Sequence, residues 1–361
     1  MTIESNRKTF YIKDLKDGQQ VADLFLISRK IYAETKAGKP YLALTLMDSS
    51  GEIEGRIWDG ADQLNEIVAV GDVISAEASV KLFRDQLQLN INSVRVIDRD
   101  GVALDEFMPA SSKSSSVMKK GLQQLIDSVQ DPYLSELLKN IFQGGLLQQF
   151  LTAPAAKMMH HAYLGGLAEH TLSVTQLAAK VCAHYQEIDY DLMIAGALLH
   201  DIGKIEEFDF STPPFSYTDS GRLLGHLVIG SEMVRRKAEK IAGFQGDRLN
   251  NLVHMILSHH GRHEFGSPCL PMTREAILLH HFDDMDAKMN LINKLSAQVE
   301  TGQYQWSDYQ RSLERFLWLK GMEENAEEDS APDSHQEITG KRTEENTSRD
   351  VSGKPLQKPL F

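Results

Sequence analysis

The sequence predicts a two-domain protein in which an antiparallel β-barrel is followed by an all-α bundle. Apolar residues recur with a period close to two up to about residue 97, and with a helical period from about residue 117 to Lys320. A small, polar, proline-containing segment separates the two regions and predicts a flexible linker. The length of 361 residues also exceeds that of most single domains. The predicted division is a β-domain (1–106), the linker (107–116), a helical domain (117–322) and a polar tail (323–361).

The β-domain is predicted to be an OB-fold barrel. Its expected elements are strands at 21–32, 41–46 and 53–58, a helix at 60–70, and strands at 72–83 and 86–97. A hairpin turn is expected over Asp48–Gly51 and a tight turn at Arg84-Asp85, while Leu64, Ile67 and Val68 are expected to point inward from the helix. The order β-β-β-α-β-β is that of an OB-fold barrel.

Barrels of this type bind single strands by stacking bases on aromatic rings and pairing phosphates with basic side chains. The candidates are Arg29, Lys30, Tyr32, Lys36, Lys39, Tyr41, Arg56, Trp58, Lys81, Phe83 and Arg84. Any single aromatic ring could belong to the core, and any single charge could be merely solvated, but the bunching of basic residues favours oligonucleotide binding. The acidic residues of this domain outnumber its basic residues, so we expect modest, salt-sensitive binding. The net charge of −13 argues against a polyanion-binding surface over the whole protein.

Histidine and aspartate residues recur on the apolar faces of five successive predicted helices. The apolar run Met193–Leu199 ends in His200 and Asp201, and Gly203 is expected to terminate that helix. The other such residues are His170, His226, His259, His260, Asp283, Asp284 and Asp286. Any one could be structural, but adjacent polar side chains at the end of a buried helix are costly unless something satisfies them. The set predicts a metal site, and imidazole with carboxylate suits Zn, Mn or Fe.

The order of these residues resembles that of the HD-domain metal phosphohydrolases, which are helical proteins that hold one or two metals. The resemblance implies that the ligand in the last helix is Asp283 rather than Asp284 or Asp286, and that the extra histidines belong to the binuclear branch. With the OB-fold, the chain resembles the YhaM-type 3′-5′ exoribonucleases over about residues 1–320. The segments that carry this resemblance are HHAYLGGLAEHTLS, ALLHDIGKIEE, GHLVIG, LSHHGRHEFGSP and LHHFDDMDAKM.

The resemblance implies a metal-dependent hydrolase that releases nucleoside 5′-monophosphates from the 3′ end of single-stranded RNA. Two ions per chain are expected, with Mn²⁺ implied by the family and Fe or Co also admitted by the ligands. One ion would take His170, His200, Asp201 and Asp283, and the other would share Asp201 and take His226 with His259 or His260. Asp201 is the expected centre of catalysis, and Lys204 is expected either to hold a phosphate oxygen or to be a solvated residue. His161 and Arg222 are weaker candidates for contacting the substrate.

Two other functions stay open from the sequence. A phosphodiesterase for cyclic dinucleotides or nucleotides could use the same ligands, although a small substrate does not need a barrel that tracks a strand. A nucleic-acid-binding protein with a structural metal is the other alternative, although a structural site needs only four ligands. The sequence leaves open the preference for RNA or single-stranded DNA, and the oligomeric state.

The remaining expectations concern location and the tail. The chain has only two cysteines, Cys182 and Cys269, without metal-binding spacing, which fits a reducing compartment. No secretory signal or membrane-spanning run is expected. The sequence therefore predicts a cytoplasmic protein with no membrane contact. Residues 323–361 are polar and lack an apolar stripe, which predicts disorder.

Overall fold

The described part of the protein, in a computed structural model, comprises residues 8–84, 86–98, 102, 106–156, 163–210, 215–244 and 246–322. The predicted tail, the candidate His161 and Asp85 of the expected tight turn lie outside these residues. Within them, no helix is both long enough and apolar enough to cross a membrane.

Five strands of the β-domain close into a barrel. They are β1 (Gln20–Glu34), β2 (Pro40–Asp48), β3 (Gly51–Ile57), β4 (Val73–Phe83) and β5 (Gln86–Ile97), with helix α1 (Ala61–Ile67) between β3 and β4. The barrel order is β1-β2-β3-β5-β4, with β4 pairing back onto β1. Only β3 and β5 pair in parallel. This order confirms the predicted OB-fold, and Asp48 pairs with Gly51 across the expected two-residue turn.

Alternation of side chains across the strands builds the barrel core. Leu42, Leu44 and Leu46 of β2 are all fully buried, as a period of two requires when one face lines the interior. One expectation for α1 is wrong: Ile67 is 63% exposed, whereas the next residue, Val68, is buried. The helix ends at Ile67, so its last residue points away from the barrel while the extended Val68 turns inward.

A buried ion pair, which the sequence analysis missed, ties the beginning of the described chain to the barrel. The Nζ atom of Lys8 lies 3.2 Å from Oδ2 of Asp48 and donates a hydrogen bond to the carbonyl of Leu24 at 2.7 Å. Both charged side chains are fully buried. Burial lowers the pKa of Lys8, although Asp48 and Asp23 oppose that effect.

The segment 107–116, whose composition predicts a flexible linker, makes contacts with both domains. Phe107 is fully buried against the barrel, in a cluster with Leu24 and Leu26. Further along, the amide of Leu164 donates to the carbonyl of Pro109, and the amide of Ser111 donates to the carbonyl of Leu164. One aromatic side chain and a short parallel bridge therefore connect this segment to its neighbours in the fold.

Nine helices form the described part of the helical domain. They are α2 (Ser115–Asp127), α3 (Pro132–Ile141), α4 (Gly144–Thr152), α5 (Gly166–Cys182), α6 (Tyr190–Leu199), α7 (Lys204–Glu207), α8 (Asp219–Ala238), α9 (Asp247–Ser258) and α10 (Arg274–Ser296). Two short strands, β6 (Phe208–Asp209) and β7 (Ser216–Tyr217), pair between α7 and α8. Every residue of α6 from Leu192 to Leu199 is buried, so this helix forms the centre of the core, as its apolar run predicts. Thr273 caps α10 by accepting a hydrogen bond from the amide of Ala276.

The helical period does not continue to Lys320, and that expectation is wrong. Helix α10 ends at Ser296, and the chain then forms an antiparallel pair of strands, β8 (Tyr304–Trp306) and β9 (Trp318–Lys320). The aromatic residues of these short strands favour a pleated structure. Three-residue strands are too short for their alternation to stand out in the sequence.

Gly203 also plays a different part from the one predicted. Its backbone is helical, with φ of −64°, so it does not stop the helix by adopting an unusual conformation. A Cβ atom at this position would lie 2.1 Å from the carbonyl oxygen of His226 and 2.6 Å from the amide of Gly230. Gly203 is therefore needed so that α8 can approach the end of α6 closely.

Candidate metal centre

Five segments bring the predicted ligands to one place in the bundle. His170 lies in α5, His200 and Asp201 follow α6, His226 lies in α8, His259 and His260 follow α9, and Asp283 lies in α10. His170, His200, Asp201 and His259 are each at most 2% exposed. Their burial follows from their places on apolar helix faces, so the polar atoms must find partners inside the protein.

The first group of ligand atoms surrounds Oδ2 of Asp201. The Nε2 atoms of His170 and His200 are 3.2 Å apart, and they lie 3.5 Å and 3.4 Å from this oxygen. Asp283 approaches from α10, with its Oδ1 atom 3.2 Å from Nε2 of His170 and 4.0 Å from Nε2 of His200. These four side chains could hold one cation.

The second group surrounds the other oxygen of Asp201. The Nε2 atoms of His226 and His259 each lie 3.5 Å from Oδ1 of Asp201. The Nε2 atom of His260 lies 3.3 Å from Nε2 of His226. Ligand atoms of His226, His259 and His260 all fall within 4.8 Å of one another. The two oxygens of one carboxylate thus face two different groups of imidazoles, and both histidines of the 259–260 pair reach the second group.

Hydrogen bonds at the opposite ring nitrogens orient all five imidazoles. The Nδ1 atoms of His200, His259 and His260 donate to the carbonyl oxygens of Ala197, Ile256 and Phe265, each at 2.8 Å. The Nδ1 atoms of His170 and His226 face the carboxylates of Asp286, at 2.7 Å, and Glu207, at 3.0 Å. Carbonyls and ionised carboxylates can only accept, so each Nδ1 carries a proton and each Nε2 faces the centre, where a neutral ring offers its lone pair to a cation.

This arrangement fits a bound cation. Lone pairs of neighbouring Nε2 atoms face each other at 3.2 Å and 3.3 Å, which is unfavourable unless a proton or a cation lies between them. In the described part of the chain, Oδ1 of Asp201 is buried and has no hydrogen-bond partner. A buried carboxylate oxygen without a donor is costly, and a metal would satisfy it. The donors, imidazole nitrogen and carboxylate oxygen, suit the borderline divalent metals.

The electrostatics of the centre keep its carboxylates ionised. Burial alone would raise the pKa of Asp201, but Lys204 and His200 outweigh it and hold that pKa well below its usual value. In the same way, His170 outweighs the burial of Asp283 and lowers its pKa. Burial lowers the pKa of His259 to about 3, so its imidazole is neutral and ready to act as a ligand. Without a cation, the pKa of His170 rises to about 9 despite burial, because Asp283 and Asp286 stabilise its protonated form, so a cation at Nε2 would replace a proton there.

Lys204 belongs to the centre, and its burial excludes the solvated alternative. Its ammonium donates to Oδ2 of Asp201 at 2.6 Å, and the side chain is only 14% exposed. Burial opposes the charge, but Asp201 more than compensates and raises the pKa of Lys204. The lysine therefore contributes a permanent positive charge beside the carboxylate that faces both groups.

Two carboxylates that support the ligands were not identified as such from the sequence. Glu207, one turn beyond Gly203, binds Nδ1 of His226, and Asp286, one turn beyond Asp283, binds Nδ1 of His170. Asp286 also accepts a hydrogen bond from Ser173. Asp284 instead forms an ion pair with Lys288. Among the three aspartates of α10, only Asp283 lies on the Nε2 side of the histidines.

The barrel gathers six of the predicted nucleic-acid-binding residues into one surface, which we call the barrel patch. The patch consists of Tyr41, Arg56, Trp58, Lys81, Phe83 and Arg84. The rings of Tyr41 and Trp58 stack at 5.2 Å, and the Arg56 guanidinium lies 5.8–5.9 Å from these two rings and from Phe83. Arg84 lies 5.3 Å from the Phe83 ring. Aromatic faces beside cations are the combination that a stacked single strand requires.

The other predicted barrel residues have separate partners or stand apart. The Lys30 ammonium donates to the carbonyls of Asn65 and Val68 at the end of α1, both at 2.9 Å, so it stabilises a helix end and is not free for a phosphate. The Tyr32 hydroxyl binds Asp62, and Lys39 forms an exposed ion pair with Asp59 at 3.0 Å. Arg29 on β1 and Lys36 between β1 and β2 are both exposed. The structure therefore does not join these five residues to the barrel patch.

Comparisons with known proteins agree with both domains. Residues 26–97 match the OB-fold nucleic acid binding domain, and residues 167–288 match the HD domain. Among solved structures, the second OB-fold domain of replication protein A from Methanococcus maripaludis is 19% identical, with a TM-score of 0.22. That match covers 25% of this chain and 95% of the other. At this similarity it adds nothing to the barrel assignment, which follows from the strand order.

Curated relatives match over most of their length. The 3′-5′ exoribonuclease YhaM of Geobacillus sp. (strain WCH70) is 33% identical over 288 residues, which cover 80% of this chain and 88% of the relative. The 3′-5′ exoribonuclease YhaM of Bacillus subtilis (strain 168) is 34% identical over 289 residues, or 80% of this chain and 91% of the relative. The matches confirm the resemblance read from the HD-type histidines and the barrel. This chain belongs to the YhaM family of 3′-5′ exoribonucleases.

Proposed function

We propose that this protein is a 3′-5′ exoribonuclease that uses two divalent cations, with Mn²⁺ as the physiological metal. Its substrate in this proposal is single-stranded RNA, which it shortens to nucleoside 5′-monophosphates. The observation that carries the proposal is the position of Asp201, whose two oxygens each lie near a separate group of histidine Nε2 atoms. The activity in the names of the relatives supports it.

In this proposal the seven side chains of the centre divide between two cations. His170, His200 and Asp283 would hold one, His226, His259 and His260 would hold the other, and Asp201 would contribute an oxygen to each. When bound, such cations polarise phosphoryl oxygens and lower the pKa of water, so that hydroxide is available near neutral pH. A structural site closes with four ligands, and this set exceeds that number.

The chain's own residues keep the centre in its reactive arrangement. Asp286 and Glu207 hold the Nδ1 protons of His170 and His226, which keeps both Nε2 lone pairs pointed inward. Lys204 keeps its ammonium beside Asp201, and this position supports a contact with a phosphate oxygen of the substrate. The interior position of His200, Asp201 and His259 also limits the access of bulk water.

The barrel patch would hold the RNA strand upstream of the cleaved end. Stacking on Tyr41, Trp58 and Phe83 requires unpaired bases, which supports a single-stranded substrate. The cations of the patch would pair with the phosphates, so affinity should fall as salt rises. Both cysteines are free thiols, which supports a cytoplasmic location.

The test is an assay of purified full-length protein with Mn²⁺. RNA labelled at its 5′ end should give a ladder that shortens with time, and RNA labelled at its 3′ end should release labelled mononucleotide from the start. Single-stranded DNA and a cyclic dinucleotide, tested in parallel, would reveal the other substrate classes. Preferential hydrolysis of the cyclic dinucleotide, or no hydrolysis of any substrate, would refute the proposal.

A matched pair of variants connects this activity to the centre. Asp201→Ala should abolish hydrolysis because it removes the oxygens that face both groups of histidines. Asp284→Ala should retain activity, since Asp284 pairs with Lys288 rather than with the histidines. Thermal unfolding should show that both variants fold. Substantial hydrolysis by folded Asp201→Ala protein would overturn the assignment.

A further inference from the structure

The C-terminal strands of the described chain carry an unusual exposed surface, which we call the aromatic ribbon (residues 304–320). Strands β8 and β9 pair with Trp306 opposite Trp318 and Tyr304 opposite Lys320. Side chains directly opposite each other lie on the same face, and residues two apart on a strand share a face. Tyr304, Trp306, Trp318 and Lys320 therefore occupy one side of the ribbon.

The other side of the ribbon attaches it to the bundle. Leu319 is buried, and β9 lies against α10. A Cβ atom at Gly321 would lie 2.1 Å from the carbonyl oxygen of Glu300, so the chain passes very close to the turn that follows α10. The amide of Gly321 also donates to the carbonyl of Gln303 at 2.9 Å. The aromatic face is thus carried on an anchored element.

The aromatic rings of the ribbon stand in solvent. Tyr304, Trp306 and Trp318 are 55%, 62% and 55% exposed, and Tyr309 and Phe316 nearer the tip are similarly exposed. The aliphatic residues of the same segment behave differently, since Leu319 is buried and Leu313 and Leu317 are half-buried. The exposed apolar surface consists of flat rings rather than branched aliphatic chains, and such rings offer faces on which bases can stack.

Contacts within the ribbon repeat those of the barrel patch. The Trp318 ring lies 4.9 Å from Trp306 and 5.7 Å from Tyr304, and the Lys320 ammonium lies 5.9 Å from the Tyr304 ring. In the barrel patch, Tyr41 and Trp58 are 5.2 Å apart with Arg56 within 5.9 Å of both. The ribbon therefore shares its combination of strand-borne aromatic rings and a nearby cation with the barrel patch, which lies within a domain that matches nucleic-acid-binding proteins.

The net charge of the ribbon is more favourable for contact with a phosphate backbone than the net charge of the whole chain. Its basic residues are Arg311, Arg315 and Lys320, and its acidic residues are Asp308 and Glu314. A small positive balance here contrasts with the net charge of −13 for the whole sequence. A single strand offers both bases to the rings and phosphates to the cations.

We propose that the aromatic ribbon is a second binding surface for single-stranded RNA, formed by Tyr304, Trp306, Trp318 and Lys320, in addition to the barrel patch. The proposal rests on the proposed function only in the choice of RNA as the ligand. Two separate stacking surfaces on one chain would act together on a long strand, because binding at one raises the effective concentration at the other. Long RNA should accordingly bind more tightly than oligonucleotides that can occupy one surface alone.

The positions of the tryptophans allow a direct test. The chain has three, one in the barrel patch and two in the ribbon. The full-length Trp58→Phe protein keeps an aromatic ring in the patch, and its remaining tryptophans, Trp306 and Trp318, report only on the ribbon. Single-stranded RNA added in the presence of a metal chelator, which prevents hydrolysis, should quench this fluorescence saturably. Unchanged fluorescence at RNA concentrations that saturate the protein would overturn the proposal.

RNA affinities of variants made in the wild-type protein separate the contribution of ring stacking from that of charge. The double variant Trp306→Ala, Trp318→Ala should bind labelled single-stranded RNA at least about fivefold more weakly, since stacking contributes on the order of 1–3 kcal/mol per base. The slope of log Kd against log salt should not change, because no phosphate contact is lost. Lys320→Ala should instead reduce that slope by about 0.7. Tyr185→Ala, which removes an exposed aromatic ring of the same domain, is the matched control and should bind normally.

Two further outcomes would contradict the proposal. Unaltered RNA affinity of the double variant would show that the rings do not stack on bases. Dissociation of an oligomer by the same substitutions, without loss of RNA affinity, would show that the ribbon contacts a second copy of the chain.

Neither result depends on hydrolysis, because binding is measured with the metal removed. A protein that binds RNA at the ribbon but releases no nucleotides with Mn²⁺ would refute the proposed function and leave this inference intact.

Discussion

Replacing Glu207 with glutamine tests whether the second group of histidines is a metal site. Oε1 of Glu207 accepts hydrogen bonds from the backbone amide and from Nδ1 of His226, both at 3.0 Å. Burial would raise the pKa of Glu207, but the bonds with His226 outweigh that effect and lower it, so the group is ionised. Glutamine keeps an oxygen acceptor and the volume of the side chain but removes the negative charge that makes the imidazole a better ligand.

The expected effect is a selective loss of metal affinity. Removing such a supporting group typically weakens metal binding by about tenfold to a hundredfold, or about 1.4–2.8 kcal/mol. Only the ion near His226 should be affected, since Glu207 binds none of the Nδ1 atoms of His170, His200 and His259. Mn²⁺ titration of chelator-treated protein should therefore show one weakened and one unchanged binding event. A decrease in turnover at limiting Mn²⁺, which recovers at high Mn²⁺, should accompany it.

The neighbouring residue provides the control. Glu206 is exposed, and the Glu206→Gln protein loses the same charge one position away without touching an imidazole. Its two Mn²⁺ affinities should equal those of the wild type. If Glu207→Gln leaves both affinities unchanged, or if Glu206→Gln weakens binding to the same extent, the role given to Glu207 is wrong.

Three other changes are predicted. His226→Ala should lower the metal content by about one ion per chain and reduce turnover by at least about a hundredfold. Elemental analysis and kinetic assays measure these two quantities, and both should stay unchanged in the control His184→Ala, which replaces an exposed histidine. In metal-free protein, the pKa of His259 is lowered from 6.5 to about 3. Between these pH values His259 binds a proton in the unfolded chain but not in the folded chain, so the free energy of unfolding should decrease as the pH drops from 6.5 towards 3. Urea unfolding at pH 5 and 6.5 should show this loss, and a His259→Gln protein with an undiminished loss would contradict it. Lys8→Met should lower the free energy of unfolding, measured in urea, by about 3 kcal/mol, because the fully buried Asp48 carboxylate loses its cation. A decrease below about 1 kcal/mol would show that the remaining hydrogen bonds of Asp48 are enough to stabilise the buried carboxylate.

The sequence by itself determined the elements whose signals are local. The strands of the barrel appear in their predicted order because alternation over seven to fifteen residues and the Asp48–Gly51 turn are properties of neighbouring positions. The caps Asp131 and Thr273 were predictable for the same reason. The set of candidate ligands followed from the order of histidines and aspartates, read through the resemblance to a known family. The choice of Asp283 over Asp284 and Asp286 also came from that resemblance.

Signals that are too short, or that depend on distant contacts, misled the sequence analysis. The three-residue strands β8 and β9 lie in a stretch for which the sequence analysis predicted helix. The composition of 107–116 predicts flexibility, yet Phe107 is buried against the barrel with Leu24 and Leu26. Lys30 was counted among phosphate-binding residues because its charge is visible in the sequence, whereas the carbonyls of Asn65 and Val68 that bind it are not.

Only the tertiary structure decided how the ligands are divided and oriented. The sequence does not distinguish Oδ1 from Oδ2 of Asp201. In the structure, Oδ1 faces His226 and His259, and Oδ2 faces His170 and His200. This division arises from the packing of α5, α8 and α9 around the end of α6. The close approach of α8 depends on Gly203, which lacks the Cβ atom that would collide with the backbone of His226. Distances between residues tens of positions apart depend on the packing of whole helices, so no local pattern records them.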